Sequence, residues 1–538
     1  MASNAEKIVT LTEQLKLDRI NWDSTWQDLS DHLLPRVNRF TLKQSKGVEK
    51  DSSIIFDSYP SNALHNLASA LHAMLTNPAT PWFFLKINGD TDNEGVSKPI
   101  KQWLETTQAR MMTIFNQSNF NTEVYELYLY LIVFGTGVMF IHRTEKNVLH
   151  FKTIHLNECL IRTSFDGYVD SLFRVYSVSP RKLIQQFGIE KVSSDTREAY
   201  TSGENKEVDC IHAVFPNDDK SLGEWDKTFP FVSVYIEQET KKILSVSGFD
   251  SFPYAVPRWS VAPDEMYGRG IGEIALPDVK TLYAMVKTTL AAAEKTVNPP
   301  MMVPDQMIDG VLRLTPGSVN QVRGNSGEIK PLFTPPGLPF SLEFISQKRI
   351  QIAQLFLNDQ LEMPEQPNMT ATEVLQRMEE KMRLLAPILG RIQGEFLKPV
   401  IERSYQLLIN NDYLMPPPEE VLENGLKVEY QSPIARAQRL HEVNAIQRLM
   451  QLVSPLISID PALFKLIDPI ELVRILSDIL GVPANVLRSK IDLQKIEEAE
   501  AEAMKAQQEI ELAQTMIQGE KTMSETQLNN ARSGKEAG

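Results

Sequence analysis

Cysteine is almost missing from this chain: its 538 residues hold only Cys159 and Cys210, too few and too far apart for a disulfide framework. A reducing cytoplasm is therefore the expected setting. Long hydrophobic runs are missing too. The longest uncharged apolar stretch, Leu127 to Ile141, is 15 residues, short of the roughly 20 that a bilayer-spanning helix needs, so it reads as buried core. The first residues, MASNAEKIVTLTEQLK, lack the apolar centre of a secretory signal, and a soluble protein is expected. Positive charge is in deficit, with 55 Lys+Arg against 69 Asp+Glu and a net charge of −14, so no general attraction to nucleic acid or an anionic membrane follows. Catalytic signatures are absent as well: there is no GxxxxGK[ST] phosphate loop, no GxSxG elbow and no HExxH metal pair.

What is present is the composition of an ordinary folded protein, 42% hydrophobic and 23% charged, which at this length predicts about three or four domains. Trp22, Trp26, Leu29 and Leu33 recur at helical spacing before Pro35. A second helix is expected from Ser61 as N-cap, with Leu64, Leu67, Leu71 and Leu75 on one face. A strand is expected within Thr80 to Ile87, then helices over Ile100 to Asn116 and Asn121 to Phe134. From Met139 to Ser260 short β-rich runs alternate with turns, interrupted by a helix at SPRKLIQQFG that Ser179 caps and Pro180 opens. The expected fold class is α+β, mainly helical.

The segment from Pro257 to Pro304 is the most informative. Val279, Leu282, Val286, Leu290, Ala293 and Val297 step by 3 and 4 along one helical stripe. From Asp278 to Val297 such a rod would span about 30 Å. After a Pro/Gly-rich stretch over 298–340, expected to form a small β-module, a second helical pattern carries Leu342, Ile345, Ile352 and Phe356. The loop from Leu361 to Met369 comes next. A capping box of Thr370 and Glu373 then opens a helix of about 40 residues bearing Val374, Met378, Leu385, Leu389, Ile392, Phe396 and Leu407, kinked by Pro387 and Pro399. Beyond Ser432-Pro433 the pattern is helical, ending in a Glu/Ala/Gln-rich tail from Leu487.

Few residues suggest chemistry. Gly268, Gly270 and Gly272 precede the rod without GxGxxG spacing; they read as a hinge into it, with a phosphate site as the alternative. His142, His150 and His155 match no zinc pattern and read as satisfied core or surface histidines, as do His65 and His72. No metal or cofactor is expected. Arg313, Arg323 and Lys330 would become circles of positive charge if the chain repeated around a ring.

Four segments in this order, SYPSNALHNLASALHAMLTNPATPWFFLKI, LIVFGTGVMFI, YGRGIGEIALPDVKTLYAMVKTTLAAAEKTVNPP and MTATEVLQRMEEK, resemble the head-to-tail connecting (portal) proteins of short-tailed bacteriophages. The resemblance implies a portal fold: a wing over 1–256, a first stem helix with its glycine-rich lead-in over 257–297, and a clip over 298–340. A second stem helix over 341–360, a tunnel loop over 361–369, and a long kinked helix returning to the wing over 370–432 would come after these. A crown over 433–490 and a barrel-like helix with a disordered tail over 491–538 would close the chain. It implies a homododecameric ring at one capsid vertex, assembled in the host bacterial cytoplasm and carried in the virion, that nucleates procapsid assembly. Double-stranded DNA would pass through it without sequence specificity, and an acidic wall suits sliding. The partners implied are the terminase large subunit, major capsid and scaffolding proteins, tail adaptor and nozzle proteins, and internal core proteins, with no membrane and no enzymatic activity. Met363, Gln366, Asn368 and Met369 would line the channel, and Arg313, Arg323 and Lys330 of the clip would meet terminase or DNA. Stem packing would fall to Val279, Leu282, Val286, Leu290, Val297, Leu342, Ile345, Ile352 and Phe356. Two alternatives stand beside this: a ring-forming tail adaptor or scaffold without a DNA channel, and an enzyme with an unrecognised site in 139–260.

Overall fold

The apolar periodicities become α1 (Ala2–Leu33), α2 (Tyr59–Leu75), α3 (Lys98–Gln117) and α4 (Phe120–Phe134), with strand β1 (Phe83–Ile87) between α2 and α3. This is a computed structural model that describes residues 2–35, 40, 54–88, 98–144, 146–203, 206–226, 228–297, 301–302, 330–331, 338–358 and 388–430, with short helical stretches between 443 and 477. β2 (Met139–His142), β3 (His150–Thr153), β4 (Cys159–Thr163) and β5 (Val169–Val178) follow, then helices α5 (Pro180–Phe187) and α6 (Ser194–Ser202). The body closes with β6 (Val208–Pro216), β7 (Phe231–Glu237), β8 (Ile243–Phe249) and β9 (Tyr254–Ala255). The fold mixes helix and sheet, as the composition and periodicity indicate.

Strands β4 to β8 form one antiparallel meander in chain order, and β3-β2-β9 form a smaller sheet. Alternation along the meander sorts its side chains. Phe173, Ile211, Ala213, Phe215, Val234 and Ile236 face α1, which buries Ala5, Ile8, Val9 and Leu15 against them. Arg19 fastens the same helix: its guanidinium donates to the carbonyls of Leu156 (3.0 Å), Cys159 (2.8 Å) and Asn157 (3.0 Å). A second core, of Trp82, Phe83, Phe115, Phe120 and Phe151, packs ring edge against ring face where α3 ends and α4 begins.

Several boundaries differ from expectation. α2 starts at Tyr59, not after Ser61, because the Asp57 carboxylate accepts the Tyr59 N–H (2.9 Å) and Pro60 suits the first turn. β2, β4 and α6 do not stand out as separate elements in the sequence pattern; β4 is buried on both faces at Cys159, Leu160 and Ile161 and so lacks alternation. α5 begins at Pro180 after Ser179, as expected, although the Ser179 side chain makes no capping bond.

Contacts divide the chain into two units. The first comprises Met1–Phe84, Gln108–Pro416 and Val428–Ala435, and the second Leu85–Thr107, Pro417–Lys427 and Arg436–Gly538. In the second unit Ile100, Trp103 and Leu104 are buried, and the Asn88 N–H donates to the Gly425 carbonyl (3.0 Å).

Across the meander from α1, the sheet presents a polar-aromatic layer. His212 is fully enclosed there, stacked on Tyr235 at 4.0 Å, with Nδ1 2.8 Å from the Tyr254 hydroxyl and Nε2 3.0 Å from Ser233 Oγ. Burial, reinforced by Arg174 and His142, pushes its pKa down to about 3. It is therefore neutral in the native state, whereas an unfolded histidine takes up a proton below pH of about 6.5. Stability is complete above that value and falls as pH drops through it, by about 2 kcal/mol at pH 5 for such a histidine. Denaturant melts at pH 7.5 and 5.0 should show this loss, and His212→Asn should shrink the pH-dependent part even if it lowers stability at both.

Candidate functional site

The rod of the sequence is α7 (Ile271–Val297), which starts seven residues earlier than Asp278 and carries Pro277 inside it. Pro277 is exposed and gives up one backbone bond, to the Glu273 carbonyl, without ending the helix. Its root is fixed by glycines. Gly135 ends α4 with φ 76° and donates its N–H to Leu131 O (3.0 Å). The chain then runs antiparallel to 257–259, through Gly137 N to Pro257 O (3.0 Å), Trp259 N to Gly135 O (2.8 Å) and a bridge between Thr136 and Arg258.

Gly268, Gly270 and Gly272 lie backbone-to-backbone on this corner. A Cβ at Gly268 would overlap the Gly135 carbonyl oxygen; at Gly270 it would sit 2.8 Å from Gly135 N, and at Gly272 2.7 Å from Val133 O. Gly268 N also donates to Thr136 Oγ1 (2.8 Å). The motif is thus a buried joint. It leaves no cradle for a phosphate, and the turn into the rod expected from sequence is made by close backbone packing.

Arg269, between these glycines, points outward, lies over Trp22 (4.9 Å) and pairs with Glu265 (2.6 Å) and Glu273. Arg258 points inward and is only 3% exposed. Its guanidinium meets both carboxylate oxygens of Glu395 (2.7 and 3.2 Å), and its backbone N–H donates to the same group (2.9 Å). Glu395 lies in a π-helical turn, Gln393–Leu397, just before α9 (Lys398–Ile409). Pro399 explains the turn. Its ring would strike the Glu395 carbonyl in a regular α-helix, and widening the preceding turn relieves that clash. The kink expected at Pro399 takes this form. Gly390 and Gly394, in the same segment, have no neighbour within 4 Å of a would-be Cβ.

The second long helix is α8 (Leu338–Leu355), which starts before Ser341. It packs beside α7, with Lys348 bound to Asp278 (2.7 Å) and Arg349 to the enclosed carboxylate of Asp57 (3.0 Å). α7 is held to α1 by Lys280 to Asp28 (2.8 Å) and Tyr283 OH to His32 O (2.9 Å). Val279, Leu282, Ile345, Ile352 and Phe356 are buried in this chain and Val286 is half-buried. Leu290, Val297 and Leu342, read as packing residues, are 56%, 87% and 58% exposed, as is Ile350 at 55%. The apolar stripe is therefore covered at its root and bare toward Val297.

The remaining predicted residues are not gathered here. Lys330 stands in β11 (Lys330–Pro331), opposite Met302 of β10 (Met301–Met302). Arg313, Arg323, Met363, Gln366, Asn368, Met369, the Thr370–Glu373 box, Pro387 and the tail from Leu487 lie outside the described residues. A short helix α10 (Glu419–Asn424) and strand β12 (Leu426–Tyr430), which pairs with β1, come after α9. His142 and His150 are brought together, ring centroids 5.0 Å apart, while His155 lies apart against Phe40, Phe134 and Tyr130. The Arg258–Glu395 pair has no sequence signal, since its members are 137 residues apart and neither lies in a motif.

The family described as bacteriophage head to tail connecting protein matches residues 5–487. The portal protein of Salmonella phage epsilon15 is 30% identical over 536 residues, covering 98% of this chain and 96% of that one. The probable portal protein of Bordetella phage BPP-1 is 29% identical over 524 residues, covering 95% and 94%.

Two substitutions separate the tight glycines from the open ones. Gly270→Ala should cost several kcal/mol, on the order of a badly overpacked core position or more, and Gly390→Ala should raise stability by about 0.5–1 kcal/mol through helix propensity. Glu395→Gln, which strands the Arg258 charge, should cost about 3–5 kcal/mol. Thermal melts of the three variants beside the parent protein check the order.

Proposed function

The chain belongs to the bacteriophage head-to-tail connecting protein family, and from that premise we propose that twelve copies close into the ring through which a phage genome enters and leaves its capsid. As a connector the protein is a structural component of a phage virion, similar over nearly its whole length to the portal protein of epsilon15. In this reading α7 and α8 are the two stem helices, residues 298–340 the clip and residues 361–369 a loop facing the DNA. The kinked segment through Glu395 and α9 carries that loop back to the wing over 1–256. Residues 433–490 form the crown, and residues 491–538 a barrel-like helix with its tail. The clip, with Arg313, Arg323 and Lys330, receives the terminase large subunit during packaging and tail adaptor and nozzle proteins afterwards. Capsid and scaffolding proteins surround the body as the ring nucleates the procapsid in the host cytoplasm. DNA contact is with backbone and shape, so no base preference is expected.

The observation that carries this reading is the paired helix α7–α8, anchored at its root and carrying exposed large aliphatic residues at Leu290, Val297, Leu342 and Ile350. Large aliphatic residues exposed together on a helix pair are unfavourable in water unless another surface covers them. A head-to-tail ring would cover them with neighbouring copies, because a rotation that closes buries the same patch on every subunit.

Negative-stain microscopy with light scattering should show rings with a central hole and a mass of roughly 0.7 MDa, for twelve chains of 61.0 kDa. The double variant Leu290→Asp, Ile350→Asp should sediment as smaller species while its circular dichroism stays that of the parent. A parent protein that remains a monomer or dimer at micromolar concentration would sink the reading.

A further inference from the structure

The five-stranded meander has two outer edges, β4 and β8, and only one of them is closed. At β4 the backbone groups that point away from β5 are taken by side chains. Arg19 of α1 donates to the Cys159 carbonyl (2.8 Å), and the Ile161 N–H donates to the Tyr267 hydroxyl (3.4 Å). A further strand could join there only by displacing α1 and the segment that leads into the glycine joint.

The β8 edge has no such cover, and two hydrogen bonds fix which of its groups face outward. The Glu237 N–H donates to the Lys242 carbonyl and the Gln238 N–H to the Asp209 carbonyl, both at 2.9 Å. Odd-numbered residues of β7 therefore bond to β8 and even-numbered ones to β6, since an antiparallel ladder alternates. Tyr235 stands opposite Ser245, Ser233 opposite Ser247 and Phe231 opposite Phe249. Those three residues of β8 bond inward, and Val246 and Gly248 turn their N–H and C=O groups outward. No hydrogen bond from another element reaches Val246 or Gly248 among the described residues.

Natural sheets blunt a free edge with lysine, proline or a bulge. β8 reads ILSVSGF, without charge or proline, and its register shift at Tyr235/Ile236 lies before Ser245. Pairing from Ser245 to Phe249 is regular. Val246, opposite Val234 on the face that α1 covers elsewhere, is 44% exposed, and the ring of Phe229 packs on Gly248 beside it. Ser247 is exposed on the other face.

We propose that β8 is a docking edge for an extended segment of another polypeptide, which joins the meander as a sixth strand. A row of free backbone donors and acceptors at strand spacing is complementary to another extended backbone. Side chains of the segment beside Val246 and Phe229 would be apolar, and those beside Ser247 small or polar. An acidic residue at the start of β8 would meet Lys241, whose 3.4 Å contact with Glu6 is exposed on both sides. The meander of a neighbouring copy does not supply the strand, a step that rests on the ring reading. Rotation sets unlike edges of neighbours against each other, and β4 is closed; β8 against β8 needs a two-fold axis.

The test uses the full chain and a fluorescent peptide, KKILSVSGFDS, that copies residues 241–251. Laid antiparallel about Val246, the peptide matches valine to valine and sets its aspartate against Lys242. Saturable binding by fluorescence anisotropy is expected, and the same peptide with proline in place of its valine should not bind. Hydrogen exchange read by mass spectrometry should slow about tenfold or more at Val246 and Gly248 when the peptide is added. Val246→Pro removes an outward N–H and leaves the inward ladder, since an edge tolerates proline there. It should weaken binding about fivefold to tenfold, the loss of one hydrogen bond. Val246→Lys keeps the N–H but adds the charge that edges commonly carry, and should weaken binding comparably. Circular dichroism and slow exchange at Ser245, Ser247 and Phe249 establish that each variant is folded.

No saturable binding, or binding unchanged in both variants, would overturn the proposal. So would Val246 and Gly248 amides that are protected in the ring without peptide and exposed in the smaller species of the Leu290→Asp, Ile350→Asp variant. A neighbouring copy would then be what covers β8. Light scattering reads the ring separately, and a chain that fails to form rings should still bind the peptide.

Discussion

Gly268, Gly270 and Gly272 let one stretch of backbone rest on another, and much of the first unit is arranged around that contact. The approach is closer than any side chain allows, so the carbonyls of Ile132, Val133 and Gly135 set where α7 begins. The same corner brings residues 257–259 alongside 135–137, and this aims Arg258 at Glu395. Dispersion and backbone hydrogen bonding at the joint fix direction, while the enclosed ion pair fixes what may stand beside it. Removing either partner of such a pair leaves a charge without solvent or counterion, which makes the geometry specific even where the pair adds little net stability.

Much of the helical content is legible in the sequence because it is periodic. Leu64, Leu67, Leu71 and Leu75 are buried on α2 as their spacing indicates, and the stripe on α7 is buried at Val279 and Leu282. The sequence is least informative where burial is two-sided or where an interaction is long-range. β4 has no alternation to read, and the carboxylate that pairs with Arg258 and the carbonyls that hold Arg19 stand more than a hundred residues away. The glycines stand out as unusual, but spacing alone does not tell freedom from crowding. Only the neighbouring atoms do, and here they point to crowding at Gly270 and to empty space at Gly390. The same residue type serves opposite ends in one chain.

The layer between the sheets is a different compromise. Aromatic rings supply apolar contact, and His212, Tyr254 and Ser233 close their hydrogen bonds among themselves. His142 and His150 do not, although sequence reads each as a satisfied histidine. The two rings stand 5.0 Å apart and tilted, and the next pair on the ladder is a phenylalanine and a lysine.

The π-turn at Gln393–Leu397 has a consequence for how this chain can change length. A π-turn holds one residue more than the α-helical path between the same ends requires. Deleting a residue from it together with replacing Pro399, whose ring the wide turn accommodates, would restore regular winding without shifting the register of α9 beyond. Insertions and deletions elsewhere in a helix rotate everything downstream by about 100° per residue, since a turn holds 3.6 residues. Here the surplus sits beside two glycines with open space, so the wider winding meets no neighbour while Glu395 is still delivered to Arg258.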